Sequence, residues 1–170
     1  MDKAIEREQV LINPLFFGST PIGLFDGAAT CGMSGIGTYI KIDRNHCFKA
    51  HMAIRRGTNI RVELLAFWEV LFLCKKLELV NMHIAGDSKV VIDWYNQEAN
   101  LNVMNHQPWK DRIKEMGSSF DSLQIFHIHR NFNSVDDVLS KAGLNSEVGL
   151  LMVEEFNGEE KISSWSLNIF

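Results

Sequence analysis

The sequence predicts a mixed α/β domain, and three observations carry that reading. Short apolar runs separated by turn residues fill the first third of the chain, the pattern of antiparallel strands. Beyond residue 60, helix-like and strand-like segments alternate, as they do in sheets with helices on their faces. Between these halves lies RVELLAFWEVLFLCKKLEL (61–79), free of Gly and Pro and apolar nearly all round, which marks a helix buried against a sheet. The 170 residues suffice for one packed domain, and an apolar fraction of 46% with 22% charged residues excludes a wholly disordered chain.

Taken in order, residues 1–20 read as an irregular N-terminal extension, 21–145 as the domain, and 146–170 as a C-terminal extension. PIGLFDGA is a strand ending at Asp26 and running into an Asp-Gly turn. GIGTYIKI (35–42) and HCFKAHMAI (46–54) flank the turn-like IDRN and read as a hairpin. The buried helix follows, then NMHIAGD (81–87) as a short buried strand. SKVVIDWYNQ (88–97) reads as a helix with Asp87 or Ser88 as its N-cap. HQPWKDRIKEMGSSF holds another helix, with Pro108 in its first turn and Trp109, Ile113, Met116 and Phe120 on one face. SLQIFHIH (122–129) is a strand, and SVDDVLSKAGL (134–144) a helix with Ser134 as candidate cap and Gly143 near its stop. The tail alternates weakly (LLMVEEF, ISSWSL), as an extra hairpin or a docked extension would. Trp68, Trp94 and Trp109 read as core. Glu69 and Asp93 read as solvated helix residues.

Composition excludes several classes of function. No run of 18 apolar residues occurs, so no membrane span is expected, and the charged opening lacks a signal core. Cys31, Cys47 and Cys74 match neither a disulfide framework nor a zinc pattern, and read as reduced thiols in an intracellular compartment, nucleus or cytoplasm. The chain has no GxxxxGK[ST] or GxGxxG phosphate loop. Net charge is −4, yet residues 41–61 carry six basic residues against Asp43 alone, and 147–161 carry five glutamates against Lys161. That asymmetry fits a basic face for a polyanion with the acidic segment turned to solvent, or equally a basic solvated strand pair.

Four acids stand out by position: Asp26, Glu63 at the opening of the buried helix, Asp87 at the end of the next strand, and Asp137 in the last helix's first turn, beside Asp136. If the strands carrying Asp26 and Asp87 are parallel neighbours, the two carboxylates lie side by side where open α/β sheets bind ligands. Crowded carboxylates repel, and burying them unpaired is costly. A hard divalent cation relieves both problems, and two such ions about 4 Å apart activate water against a phosphodiester.

At these residues the sequence resembles a known family. FDGA (25–28) with the following GIGTYI, VELLAFWEVL (62–71), HIAGDSKVVIDW (83–94) and HIHRNFNSVDDVLSKAG (127–143) resemble, in order, the four motifs of the ribonuclease H family. The likeness is greatest to plant domains related to retrotransposon reverse transcriptases, and it covers about residues 22–145. It implies a five-stranded mixed sheet, three antiparallel strands then two parallel ones, flanked by helices. It also implies a metal-dependent endonuclease that hydrolyses the RNA strand of RNA–DNA hybrids by a two-metal mechanism. Asp26, Glu63, Asp87 and Asp137 then match the metal-binding catalytic acids, with two Mg²⁺ ions, or Mn²⁺ in their place. Gly27, Ala28, Ser88, Arg130 and Asn133 are the candidate substrate contacts, and a monomer is expected. Small residues beside Asp26 would let a nucleic-acid backbone approach closely.

Three departures favour the alternative of a non-catalytic nucleic-acid-binding module on the same fold. Gly86 stands where a Thr is usual, Asp136 stands where a small residue is usual, and a basic insertion found in some members is missing. His127 and His129 precede the last acid and are read as structural rather than catalytic.

Overall fold

The computed structural model describes residues 20–170 except 31, 56, 98–100, 102–105 and 131–132, with backbone alone at 134–137. The expectations for residues 1–19, Cys31, Arg56 and the side chains of Ser134, Asp136 and Asp137 lie outside the described residues. Strands β1 (Ile22–Ala29), β2 (Met33–Lys41) and β3 (His46–Arg55) come first, followed by helix α1 (Asn59–Lys76) and strand β4 (Asn81–Gly86). Then come helices α2 (Lys89–Tyr95) and α3 (Gln107–Ser118), β5 (Ser122–His127), helix α4 (Ser134–Gly143), and the hairpin β6 (Leu150–Asn157) and β7 (Glu160–Asn168). One mixed sheet runs β5-β4-β1-β2-β3-β6-β7. The β4–β1 and β5–β4 pairings are parallel and the rest antiparallel.

The sheet therefore has seven strands rather than the five implied by the family resemblance. The two extra strands are the weakly alternating tail, which pairs along β3. β1 also runs three residues past Asp26, because its pairing with β2 continues to Ala29↔Ser34 after its parallel pairing with β4 has stopped at Phe25↔Gly86. The last helix is capped at Asn133, one residue before the expected Ser134.

α1 forms because 18 residues without Gly or Pro, ten of them strong helix formers, follow Thr58, whose side chain accepts a hydrogen bond from the Arg61 amide at 3.3 Å. Lys75 and Lys76 in its last turn suit the negative end of the helix dipole. Phe67, Leu64, Leu71 and Val70 are fully buried against the sheet, with the Phe25 and Phe67 ring centroids 4.9 Å apart. Replacing Phe67 with Ala is expected to cost about 3–5 kcal/mol, the usual range for deleting a buried aromatic. α4 crosses the opposite face over β1, β2 and β3, where a smaller core of Ile22, Leu24, Ala85 and Ile128 sits. Trp94 and Trp109 are buried and Trp68 packs against the main core.

The charge asymmetry resolves differently from the expected basic and acidic faces. β3 and β6 are neighbours, so the two charged blocks meet across one ladder: Lys49 lies opposite Glu154, and His46 Nε2 is 2.6 Å from Glu155 Oε2. Opposite charges on paired strands attract, which favours this register over a solvent-facing acidic tail.

Candidate metal and nucleic-acid site

The site forms where three elements end or begin together. β1 and β4 run parallel to Phe25↔Gly86, so the following residues, Asp26 and Asp87, emerge side by side. Glu63, in the first turns of α1, reaches them from the helix packed against β1. One carboxylate oxygen from each of Asp26, Glu63 and Asp87 lies within 4.8 Å of the other two. Asp26 is buried and Glu63 and Asp87 are half-buried. The backbone of α4 carries Asp137, whose side chain is not described.

Each carboxylate is held by its surroundings. The Gly27 amide donates to Glu63 Oε1 at 3.3 Å. Asn133, fully buried, donates from Nδ2 to the Phe25 carbonyl at 3.0 Å and to Asp87 Oδ2 at 3.5 Å. Ser140 donates to Asp26 Oδ2 at 3.5 Å. The His127 ring, exposed at the end of β5, has Nε2 3.2 Å from the Asp87 carbonyl. Ser88 caps α2 without a side-chain cap bond, and Arg130 is exposed beyond β5.

Electrostatically the cluster is incomplete. Burial, then the charges of Asp26 and Asp87, push the Glu63 carboxyl well above its ordinary value. Its Oε2 is buried without a hydrogen-bond partner among the described residues. An all-oxygen donor set with an unsatisfied buried oxygen and excess negative charge fits a hard divalent cation. The residues therefore suit a metal such as the fold family implies.

The two glycines singled out from sequence have packing roles here. A Cβ on Gly27 would lie 2.5 Å from Val62 Cγ1, so its small size admits α1 to the sheet. A Cβ on Gly86 would lie 2.6 Å from the Phe25 ring, so the glycine leaves room for that ring in the core. Glu69 overturns its expectation outright. It is buried, not solvated, and accepts a hydrogen bond from Thr38 on β2. Asp93 is paired with Lys89. Sequence reading also missed Ser140. The signal was available, since Ser140 follows Asn133 by seven positions, a spacing of two helical turns.

Such a fold with such a cluster defines a protein of the ribonuclease H type. The reverse transcriptase-like family matches residues 24–143, and the chain belongs to that family of ribonuclease H-type hydrolases. No curated protein sequence matches it significantly. Among solved structures, it is similar to ribonuclease H1 from the halophilic archaeon Halobacterium salinarum NRC-1, with TM-score 0.70 and 22% identity over 74% of this chain and 98% of that one. It is also similar to LC11-RNase H1 in complex with an RNA/DNA hybrid (TM-score 0.68, 19% identity, 74% of this chain and 97% of that one). A third likeness is to the foamy viral protease-reverse transcriptase in complex with dsDNA (TM-score 0.56, 19% identity, 76% and 97%). The matched family segment ends before β6, so the β6–β7 hairpin is additional to it. Among the described residues no helix is long and apolar enough to cross a membrane.

Proposed function

We propose that this chain is a metal-dependent endonuclease that hydrolyses the RNA strand of RNA–DNA hybrids. The observation that carries the reading is the meeting of Asp26, Glu63 and Asp87 within 4.8 Å at the end of two parallel strands. It is supported by family membership and by the similar LC11 protein having been captured with a hybrid. Asp26, Glu63 and Asp87, with Asp137 from α4, would hold two Mg²⁺ ions, or Mn²⁺. Divalent ions held there supply a water nucleophile at neutral pH and neutralise charge on the departing oxygen. The chain's own residues orient this arrangement. Asn133 fastens Asp87 to β1, Ser140 steadies Asp26, and the Gly27 amide aims Glu63. Ala28, Ser88 and Arg130, with Gly27 and Asn133, would meet the substrate. The working unit is residues 21–145 acting as a monomer, with 1–20 and 146–170 as extensions. The buried free thiols Cys47 and Cys74 suit a reducing compartment such as nucleus or cytoplasm.

The test is direct. Purified chain with Mg²⁺ should cut a 5′-labelled RNA–DNA hybrid within its RNA strand and leave single-stranded DNA whole. Absence of cutting in both Mg²⁺ and Mn²⁺ overturns the reading. A second reading, a binding module without turnover, is favoured by the state of the α3 cations. Lys110 and Lys114 donate to the Leu101 and Tyr95 carbonyls, and Arg112 lies over the Trp109 ring, so the chain itself occupies charges that would grip a hybrid. Salt-sensitive hybrid binding without products would select it.

A further inference from the structure

Away from the carboxylates, on the sheet face that carries α1, lies a cavity of about 440 Å³ lined by Ile54, Arg55, Arg61, Leu65, Trp109, Val148 and Phe170. That volume falls within the range of about 300–1,000 Å³ usual for small-molecule sites. The β6–β7 extension builds part of its wall and fixes it in place. The Gly149 amide donates to the Ala53 carbonyl at 2.9 Å, and the Ile169 amide to the Gly149 carbonyl at 2.8 Å. Those bonds seat Val148 and Phe170 against the end of β3. Arg61 and Glu63 are two residues apart on α1, about 200° around the helix, so the cavity and the carboxylates occupy opposite flanks.

The chemistry of the lining is selective. Its side chains include two guanidinium groups and no acid. Among the described residues neither Arg55 nor Arg61 has an ion-pair partner. Phe170 stands perpendicular to Trp109, ring centroids 5.9 Å apart, and is 62% exposed. Paired guanidinium forks match phosphate oxygens in geometry and charge, and an open aromatic face accepts a nucleobase of any identity.

We propose that this cavity is a second nucleotide site, taking a phosphate between Arg55 and Arg61 and a base against the exposed ring of Phe170. The shared ligand chemistry is a nucleoside monophosphate, whether free or at the 5′ end of a strand. The site is independent of the proposed cleavage, so the test is run in EDTA, where cleavage plays no part.

The full chain is titrated with adenosine monophosphate, adenosine, inorganic phosphate, and 5′-phosphorylated or unphosphorylated tetranucleotides, read by tryptophan fluorescence. Adenosine monophosphate should bind at least tenfold tighter than adenosine or phosphate alone. Arg55→Ala should weaken it fivefold or more. Phe170→Ala should weaken adenosine monophosphate and leave inorganic phosphate unchanged, and both variants should keep the wild-type thermal midpoint. Preference for the phosphorylated tetranucleotide identifies a strand end as the source, and binding of the mononucleotide alone identifies a free nucleotide. Equal affinity for adenosine and its monophosphate, insensitivity to both substitutions, or tighter binding of an acidic aromatic peptide overturns the proposal. Asp87→Asn should bind adenosine monophosphate normally, so failure here and failure of the cleavage reading are separate results.

Discussion

Glu63 and Glu69 stand six residues apart on α1, and each is a carboxyl removed from water by the same helix packing against the same sheet. Glu63 projects at the sheet's end among Asp26 and Asp87, so its neighbours add like charge to the cost of burial. Glu69 projects beneath β2, where its one described hydrogen bond is from Thr38, and burial alone lifts its carboxyl to about 7. Each leaves one carboxyl oxygen unpartnered among the described residues. The remedies differ. Three acids together suit a divalent cation, which would repay the repulsion of all three at once. One acid alone is relieved by taking up a proton. Clustering, not burial, is what separates the candidate metal-binding carboxylates from the isolated one in this chain.

The largest expected effect breaks the comparison at the clustered end. Asp87→Asn should lower hybrid cleavage by roughly a hundredfold or more, as removal of a group that stabilises reaction charge does. Its thermal midpoint should stay at or above wild type, since one of three repelling charges is gone. Glu69→Gln should leave cleavage near wild type, and a comparable loss of activity in that variant would erase the distinction between the two sites.

The isolated end is broken by pH. A folded value raised from 4.5 to about 7 means that the unfolded chain loses this proton first. Stability from Glu69 is therefore fully present below about pH 4.5 and is lost as pH rises through about 7. The loss is on the order of 3 kcal/mol for a fully buried group. Chemical denaturation from pH 4.5 to 8 should show that decline in wild type and a flatter profile in Glu69→Gln. Identical slopes would show that Glu69 does not titrate as its burial requires.

A third measurement sharpens the contrast. Mg²⁺ at about a hundred times its dissociation constant should stabilise the wild type by about 2.7 kcal/mol. For a chain of this size that raises the thermal midpoint by roughly 5–10 °C. Glu69→Gln should keep the rise and Glu63→Gln should lose most of it. The smallest effect concerns charges that are neither clustered nor deeply buried. Lys49→Ala, opposite Glu154, should cost about 0.2–1 kcal/mol in urea denaturation.

Much of this was legible without coordinates. Turn residues and period-two runs mark the first three strands, and α1 announces itself by composition. Asp26, Glu63 and Asp87 are recognisable because each stands at the start or finish of an apolar run, where side chains reach a sheet's end. Ser140 was open to the same reading, by helical spacing from Asn133.

What escaped has a common physical origin. α1 is apolar nearly all round, so its sequence has no polar stripe to say which face Glu69 occupies. Its burial follows from the position of Thr38 on a strand 31 residues earlier. The pairing of β6 with β3, which sets the acidic tail against the basic strand, joins residues about a hundred positions apart. The sequence by itself determined the order of elements and which acids stand at their ends, because those depend on local periodicity and turn chemistry. The tertiary structure alone decided which carboxyls share a charge problem and which charged strands meet, because those depend on distances across the sheet that no local pattern encodes.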